Sequence, residues 1–197
     1  MNKSVIALAL AAAMITPTFA AIGEIGPTVG PQEYTKGTDP TPFSIHDGVV
    51  SIHRIIGVGD GKKFLEFMDR VQSMNPTTVS LQNDGGDFDS AIEIALYVRD
   101  HGMTTVVDGV CASSCAFIWL AGETKVLGEN AVLEIHPPYY GNTGIVSPEG
   151  VTSMGWLLGE LGYDANVAYA IGFIRSPAFM RLTPEIMEKW GVEVTVR

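Results

Sequence analysis

The sequence predicts an α/β fold made of repeated strand-helix units around a mainly parallel sheet, with a helical C-terminal part. From Gly48 onward, short β-branched apolar runs alternate with amphipathic helical segments. Turns rich in Gly, Asp and Pro separate these segments. Such alternation favours right-handed crossovers and a parallel sheet that helices cover on both faces. We therefore expect a ligand site at the carboxyl ends of the strands.

The predicted elements follow one another without an internal repeat. In order, we expect a strand to residue 56, a helix over 62–74, a strand over 78–81, a helix over 87–101, a strand over 104–107, a short helix over 113–121, a strand pair at 125–127 and 131–136, a loop over 137–149 and mostly helical sequence to residue 190.

The first twenty residues predict a secretory signal peptide. Lys3 lies near the amino terminus, an apolar run covers residues 5–15, and small residues precede a cleavage site after Ala20. Because the run is short, we expect no stable membrane anchor after cleavage. Residues 21–47 combine Gly, Pro and Thr with few large apolar side chains and predict an irregular arm. Residues 48–197 then form one domain.

Composition argues against several classes of partner and cofactor. The net charge of -10 and the pI near 4.7 argue against nucleic acid or anionic lipid as partners. His46, His53 and His101 have no spacing to another His or Cys that suggests a metal site, and Cys111 and Cys115 lack the further ligands of structural zinc. We expect neither a metal nor another cofactor.

Two strand-to-helix turns should open at the same sheet edge. In the first, Gly85 and Gly86 would let the backbone approach a substrate and direct amide groups at it, although a tight turn alone would also explain the pair. In the second, Ser113 stands at the start of a helix, where a serine commonly acts only as a helix cap. A serine nucleophile needs in addition a base and amide donors directed at the oxyanion.

A histidine supplies the candidate base. His136 ends an apolar strand, and the two prolines that follow it restrict the backbone directly after the imidazole. Most histidines at strand ends are structural, so His136 gains weight only together with the glycine pair and Ser113.

Together these segments resemble the proteolytic subunit of the Clp protease, a member of the Clp/crotonase fold. The resemblance runs from about residue 52 to residue 192 and includes the glycine turn at 82–86, the serine turn at 111–117, the histidine segment at 134–138 and the Leu-Thr-Pro-Glu segment that begins at 182. Cysteines on both sides of the serine make the chain similar to an exported, predicted-periplasmic branch of that family. This branch fits the signal peptide and implies a periplasmic or secreted location.

The resemblance implies a site and an activity. Ser113 would be the nucleophile and His136 the base, and the amides of Gly86 and Ser114 would form the oxyanion hole. Substrates would be peptides or proteins, and relatives assemble into homo-oligomers. Since the chain has no phosphate-binding Gly-rich Lys motif, we expect peptidase activity that does not depend on ATP.

The third catalytic residue departs from the family pattern. The register places Ala178 where the family has its aspartate, and no acid stands between Gly172 and Pro184. Asp164, Glu160 or a backbone carbonyl could orient the imidazole instead, and these alternatives stay open. Lys125 does not stand where the base of a Ser-Lys dyad would be expected.

Two functions therefore compete. The first is an exported serine peptidase that acts through an acyl-enzyme; the alternative is a catalytically impaired binding or assembly module that kept the fold. Acyl-thioester chemistry of the crotonase type is a weaker third option, because coenzyme A is not expected outside the cytoplasm. Cys111 and Cys115 could close a disulfide around the serine turn, or could serve as two small buried thiols.

Overall fold

The computed structural model of the chain describes residues 42–141 and 143–197. The predicted signal peptide and nearly all of the predicted arm lie outside these described residues. The strands are β1 Ser44–His46, β2 Val49–Ile52, β3 Thr78–Asn83, β4 Thr104–Ala112, β5 Lys125–Leu127, β6 Val132–Ile135, β7 Met180–Arg181 and β8 Thr195–Val196. The helices are α1 Asp60–Val71, α2 Phe88–Asp100, α3 Ser114–Leu120, α4 Pro148–Glu160, α5 Ala165–Gly172 and α6 Pro184–Lys189, with a 3-10 turn at Gln72–Met74.

The strands form one mainly parallel sheet, as the sequence predicts. Its order is β1-β2-β3-β4-β5-β8, and β6 pairs with β4 and β7. The pairs β1–β2 and β6–β7 are antiparallel, whereas β2–β3, β3–β4, β4–β5, β4–β6 and β5–β8 are parallel.

The crossover helices lie on one face of the sheet, so the expected cover on both faces is wrong for them. From β2 to β5 each parallel strand adds on the same side of the one before it. Right-handed crossovers that advance in one direction leave their helices on the same face. Accordingly α1 packs on α2 and α2 on α3. On β3, Val79 and Leu81 are fully buried, whereas the alternate positions Thr78 and Ser80 are only partly buried.

Strand β1 corrects the predicted irregular arm, whose last residues belong to the sheet. Asp47 and Gly48, both with positive φ (48° and 74°), join β1 to β2, and His46 pairs with Val49. This is the backbone of a two-residue hairpin loop, for which an Asp-Gly pair is a strong sequence signal.

Strand β4 is longer than predicted, and its length changes the role of the next two strands. The strand continues through Asp108 and Gly109, beside a register shift between Leu81 and Asn83 of β3. Its first half pairs with β5 and its second half with β6, in both cases in parallel. The segments 125–127 and 131–136 are therefore not a strand pair with each other.

Helix α3 is the most buried element, because all seven of its residues are buried. Trp119 and Ile118 are fully inaccessible, and the Trp119 backbone carbonyl accepts a hydrogen bond from the buried hydroxyl of Thr105 at 2.8 Å. A buried helix of small and apolar residues gives the serine turn at its start a rigid base. Within the described ranges, no helix has both the length and the apolar character needed to cross a membrane.

Candidate active site

The glycine turn between β3 and α2 is held by the buried side chain of Asn83. Its Nδ2 donates to the carbonyl oxygen of Ile52 at 2.8 Å, and its Oδ1 accepts from the amide of Gly85 at 2.9 Å. With 1% of its surface exposed, Asn83 satisfies both ends of its amide inside the protein. Asn83 belongs to the glycine-turn segment 82–86, which predicts no separate role for it, although a polar residue at the end of an apolar strand is a signal for one.

Gly86 lies where a side chain cannot fit. Its φ is +136°, and a Cβ there would lie 2.1 Å from the carbonyl oxygen of Ile56. Backbone hydrogen bonds of 2.8 Å join Ile56 N to Gly85 O and Asp87 N to Ile56 O, on either side of Gly86. Among the described residues no acceptor is recorded for the Gly86 amide, which remains available to a ligand.

Ser113 forms a sharp turn between β4 and α3. Its φ of 57° and ψ of -128° are unusual for a residue with a side chain, and such conformations concentrate at functional sites. The Ser113 amide donates to the carbonyl oxygen of Glu134 at 2.9 Å, which fixes the turn against β6. The Ser113 side chain makes no capping hydrogen bond to α3, so the interpretation as a simple helix cap is wrong.

Ser114 follows the turn with its amide at the first position of α3. An amide in the first turn of a helix has no partner within that helix. The hydroxyl of Ser114 is also without a hydrogen-bond partner in the described part of the chain, although the residue is only 2% exposed. Gly85 approaches this turn so closely that a Cβ on it would lie 2.7 Å from that of Ser113.

A disulfide encloses the serine turn. Cys111 at the end of β4 and Cys115 in α3 are bonded, with a Cα separation of 5.3 Å, and both are fully buried. The bridge spans the backbone from which the Ser113 hydroxyl and the Ser114 amide project.

His136 is held by its own backbone and by two aromatic rings. Nδ1 lies 2.7 Å from the carbonyl oxygen of Pro137, so Nδ1–H donates and Nε2 is left as the acceptor. The ring of Tyr139 stacks on the imidazole at 4.5 Å, and Phe179 meets it edge to face at 4.6 Å. Burial lowers the pKa of His136, and the hydrogen bond to Pro137 raises it to a smaller extent.

The candidate acids and the candidate lysine have other partners. Asp164 caps α5 by accepting from the amide of Asn166 at 2.8 Å, and Glu160 pairs with Arg99 at 3.1 Å. Lys125 donates to the carbonyl oxygen of Gly122 at 2.6 Å. Ala178, which the sequence resemblance places at the family's acid position, is half-buried against the core. Across residues 42–141 and 143–197, no carboxylate is found in contact with the imidazole. Of the alternatives for orienting the ring, the backbone carbonyl, here that of Pro137, is therefore the one that remains.

The two turns and the histidine meet at one open cleft of about 790 Å³. The cleft is lined by Gly86, Ser113, Ser114 and His136 together with apolar side chains that include Phe88, Phe117 and Phe179. The predicted meeting of the two turns is thus confirmed, and the two buried cysteines of the disulfide are not part of the cleft lining. No group of three His, Cys, Asp or Glu residues that could hold a metal occurs in the described ranges.

Comparison with known proteins shows likeness in structure only. No family model and no curated protein matches the sequence. The structure of a mutant of ClpP1 from Listeria monocytogenes aligns with a TM-score of 0.58 and 18% identity, over 77% of this chain and 92% of that one. A mutant of the membrane-bound stomatin-specific protease 1510-N aligns with a TM-score of 0.52 and 19% identity, over 75% of this chain and 77% of that one. These likenesses show that the chain has the Clp protease-like fold that its motifs predicted.

Proposed function

We propose that the protein is a serine peptidase that hydrolyses peptide bonds through an acyl-enzyme on Ser113. The observation that carries the proposal is the shared cleft, where a strained serine, a histidine with an acceptor nitrogen and two unpaired amides meet. One structural neighbour is named as a stomatin-specific protease and the other as ClpP1. Both names agree with this function.

The mechanism follows from the protonation state of the imidazole. Nε2 of His136 takes the proton of the Ser113 hydroxyl as the oxygen attacks the substrate carbonyl. The amides of Gly86 and Ser114 stabilise the oxyanion, and the imidazolium returns its proton to the leaving amine as the peptide bond breaks. Water, deprotonated by the same nitrogen, then attacks the acyl-enzyme and releases Ser113.

The Pro137 carbonyl performs one of the two tasks of a catalytic aspartate. It orients the ring and selects the tautomer, but it carries no full charge to stabilise the imidazolium. We therefore expect turnover below that of an enzyme with a complete triad. This same feature supports the alternative function, a binding or assembly module on the same fold with little or no turnover.

Hydrolysis of a fluorogenic peptide library by purified protein separates the two functions. The peptidase predicts measurable turnover without ATP that Ser113→Ala and His136→Ala each abolish, while Ser153→Ala, which changes another serine of the cleft lining, retains it. Retained peptide binding with equal residual rates in all four proteins would favour the binding module. Export to the periplasm and assembly into a homo-oligomer are further parts of the proposal, and cell fractionation and light scattering test them.

A further inference from the structure

The charged side chains of the cleft have one sign. Asp84, Asp87, Asp89 and Glu149 line it, and none of the Lys and Arg residues in the described part of the chain does so. Carboxylates are ordinarily ionised at neutral pH, so the cleft carries a concentrated negative charge. In a concave, partly apolar site such charge acts on a ligand more strongly than on a flat surface.

Helix capping accounts for one of these four carboxylates. Asp87 caps α2 by accepting from the amide of Ser90 at 2.9 Å, and Asp89 stands in the first turn of the same helix, where a carboxylate is favourable. Glu149 also stands in the first turn of its helix, α4, but the cap there is Ser147, whose hydroxyl accepts from the amide of Gly150 at 2.9 Å.

Glu149 is instead fixed at the cleft by two hydroxyl donors, from Tyr140 and Ser147. The hydrogen bond from Tyr140 is the largest cause of the lowered pKa of Glu149, which keeps this carboxylate charged. Asp84 belongs to no helix and lies in the glycine turn itself. Of the four carboxylates only Asp87 is a helix cap, so the negative charge at the cleft exceeds what helix capping requires.

The cleft also contains groups that lack partners and suit a peptide. The Ser114 hydroxyl is buried and unpartnered among the described residues, and no acceptor is recorded there for the Gly86 amide. Backbone carbonyls of an extended peptide are natural acceptors for such groups. Phe88 and Phe179, both partly exposed, add apolar walls on which peptide side chains can pack.

We propose that the cleft selects peptides that carry Lys or Arg beside apolar residues and discriminates against acidic peptides. The carboxylates of Asp89 and Glu149 at the rim attract the cationic side chains, while the aromatic walls take the apolar ones. The proposal rests on the proposed function in one respect, that the bound ligand is a peptide; it requires no turnover.

The test measures binding to full-length Ser113→Ala protein, so that hydrolysis does not interfere. Matched fluorescein-labelled peptides carry Lys, Gln or Glu at two central positions in an otherwise identical apolar sequence, and anisotropy gives Kd at low and high salt. The variants are Asp89→Asn with Glu149→Gln, and a control, Glu66→Gln, that removes one exposed charge of α1 outside the cleft. Thermal unfolding verifies that each variant is folded.

We expect the Lys peptide to bind about tenfold more tightly than the Glu peptide at low salt, with the preference reduced at high salt. The double variant should lose most of the preference and Glu66→Gln should keep it. Equal affinities, or a preference that the folded double variant retains, would overturn the proposal. Labelling of Ser113 by a fluorophosphonate probe reports on the proposed function separately, because it needs neither a peptide nor the carboxylates.

Discussion

The Nδ1 atom of His136 lies 2.7 Å from the carbonyl oxygen of Pro137, the next residue in the chain. Pro138 follows, and a residue that precedes a proline is biased toward extended backbone. The segment His-Pro-Pro thus restricts the direction of the carbonyl that holds the imidazole. In this chain the carbonyl that orients the proposed base comes from its own strand end, and the sequence resemblance places Ala178 at the family's acid position.

The buried imidazole predicts that the labelling rate of Ser113 falls only at low pH, which is the acid limb of its pH profile. Burial lowers the pKa of His136 below its ordinary 6.5, so the neutral form that accepts the proton persists below that pH. The labelling rate of Ser113 should therefore rise with pH through a midpoint below 6.5 and stay flat from there to neutrality. A rate profile between pH 4 and 8 measures the midpoint; a midpoint above 6.5 would contradict the absence of a nearby carboxylate.

Introducing an acid at position 178 should increase turnover. Ala178→Asp would place a charge next to Phe179, whose ring contacts His136 at 4.6 Å, and a negative charge stabilises the imidazolium of the transition state. We expect kcat to rise at least about tenfold and the acid limb to move to higher pH. Ala178→Asn is the matched control, with the same shape and no charge; an equal effect of both variants would exclude an electrostatic cause.

Neither Asp164 nor Glu160 should matter for the chemistry. Asp164→Asn keeps a good capping residue at the start of α5 and removes the charge, so both stability and turnover should remain. Glu160→Gln loses only its exposed pair with Arg99, an interaction of about 0.2–1 kcal/mol. If kcat of folded Asp164→Asn protein fell a hundredfold, a relocated acid would replace the carbonyl in this account.

Much of the architecture follows from local pattern, and what was missed depends on long-range pairing. Amphipathic spacing predicts α1 and α2 to within a few residues, and Gly-Gly, serine and histidine motifs predict the groups that line the cleft. The predicted pairing of 125–127 with 131–136 was wrong, because both segments pair with β4. The apolar pattern of a strand does not indicate which other strand it pairs with. The orientation of His136 toward a carbonyl is a side-chain geometry that residue spacing does not encode.

The glycine at position 86 should be irreplaceable. In Gly86→Ala the added Cβ would meet the Ile56 carbonyl oxygen at 2.1 Å and the residue would keep an unfavourable φ, so the turn must shift. We expect a loss of about 2 kcal/mol or more in the free energy of unfolding, and a fall of at least about a hundredfold in kcat as the oxyanion amide moves.

Gly159→Ala is the control for that change. Gly159 lies in α4, where a Cβ has no neighbour within 4 Å, and alanine favours helix. Chemical denaturation and peptide hydrolysis should show unchanged or slightly higher stability and full activity for the control. Comparable losses in both variants would mean that the Gly86 amide has no special role.

The disulfide should matter more for activity than for stability. A loop from Cys111 to Cys115 is so short that its closure accounts for only about 2 kcal/mol of chain entropy. The bridge nevertheless encloses Ser113 and Ser114, whose relative position sets the proposed nucleophile against the proposed oxyanion amide. The double variant Cys111→Ala/Cys115→Ala should unfold cooperatively at a moderately lower temperature and label at Ser113 at least about tenfold more slowly.

Mass spectrometry of the native protein, alkylated with and without prior reduction, determines whether the bridge is formed. We expect alkylation of both cysteines only after reduction under denaturing conditions, since both are fully buried. Two freely alkylated thiols in unreduced, unfolded protein would contradict the bridge.

The most direct test of the central claim is fluorophosphonate labelling of the folded protein followed by peptide mapping. An activated serine reacts with this probe whether or not its natural substrate is known. The account predicts one modified residue, Ser113, with labelling abolished in Ser113→Ala and His136→Ala and retained in Ser114→Ala, whose amide stays in the cleft. Labelling that persists in Ser113→Ala, or native protein that is not labelled at any pH between 5 and 9, would contradict it.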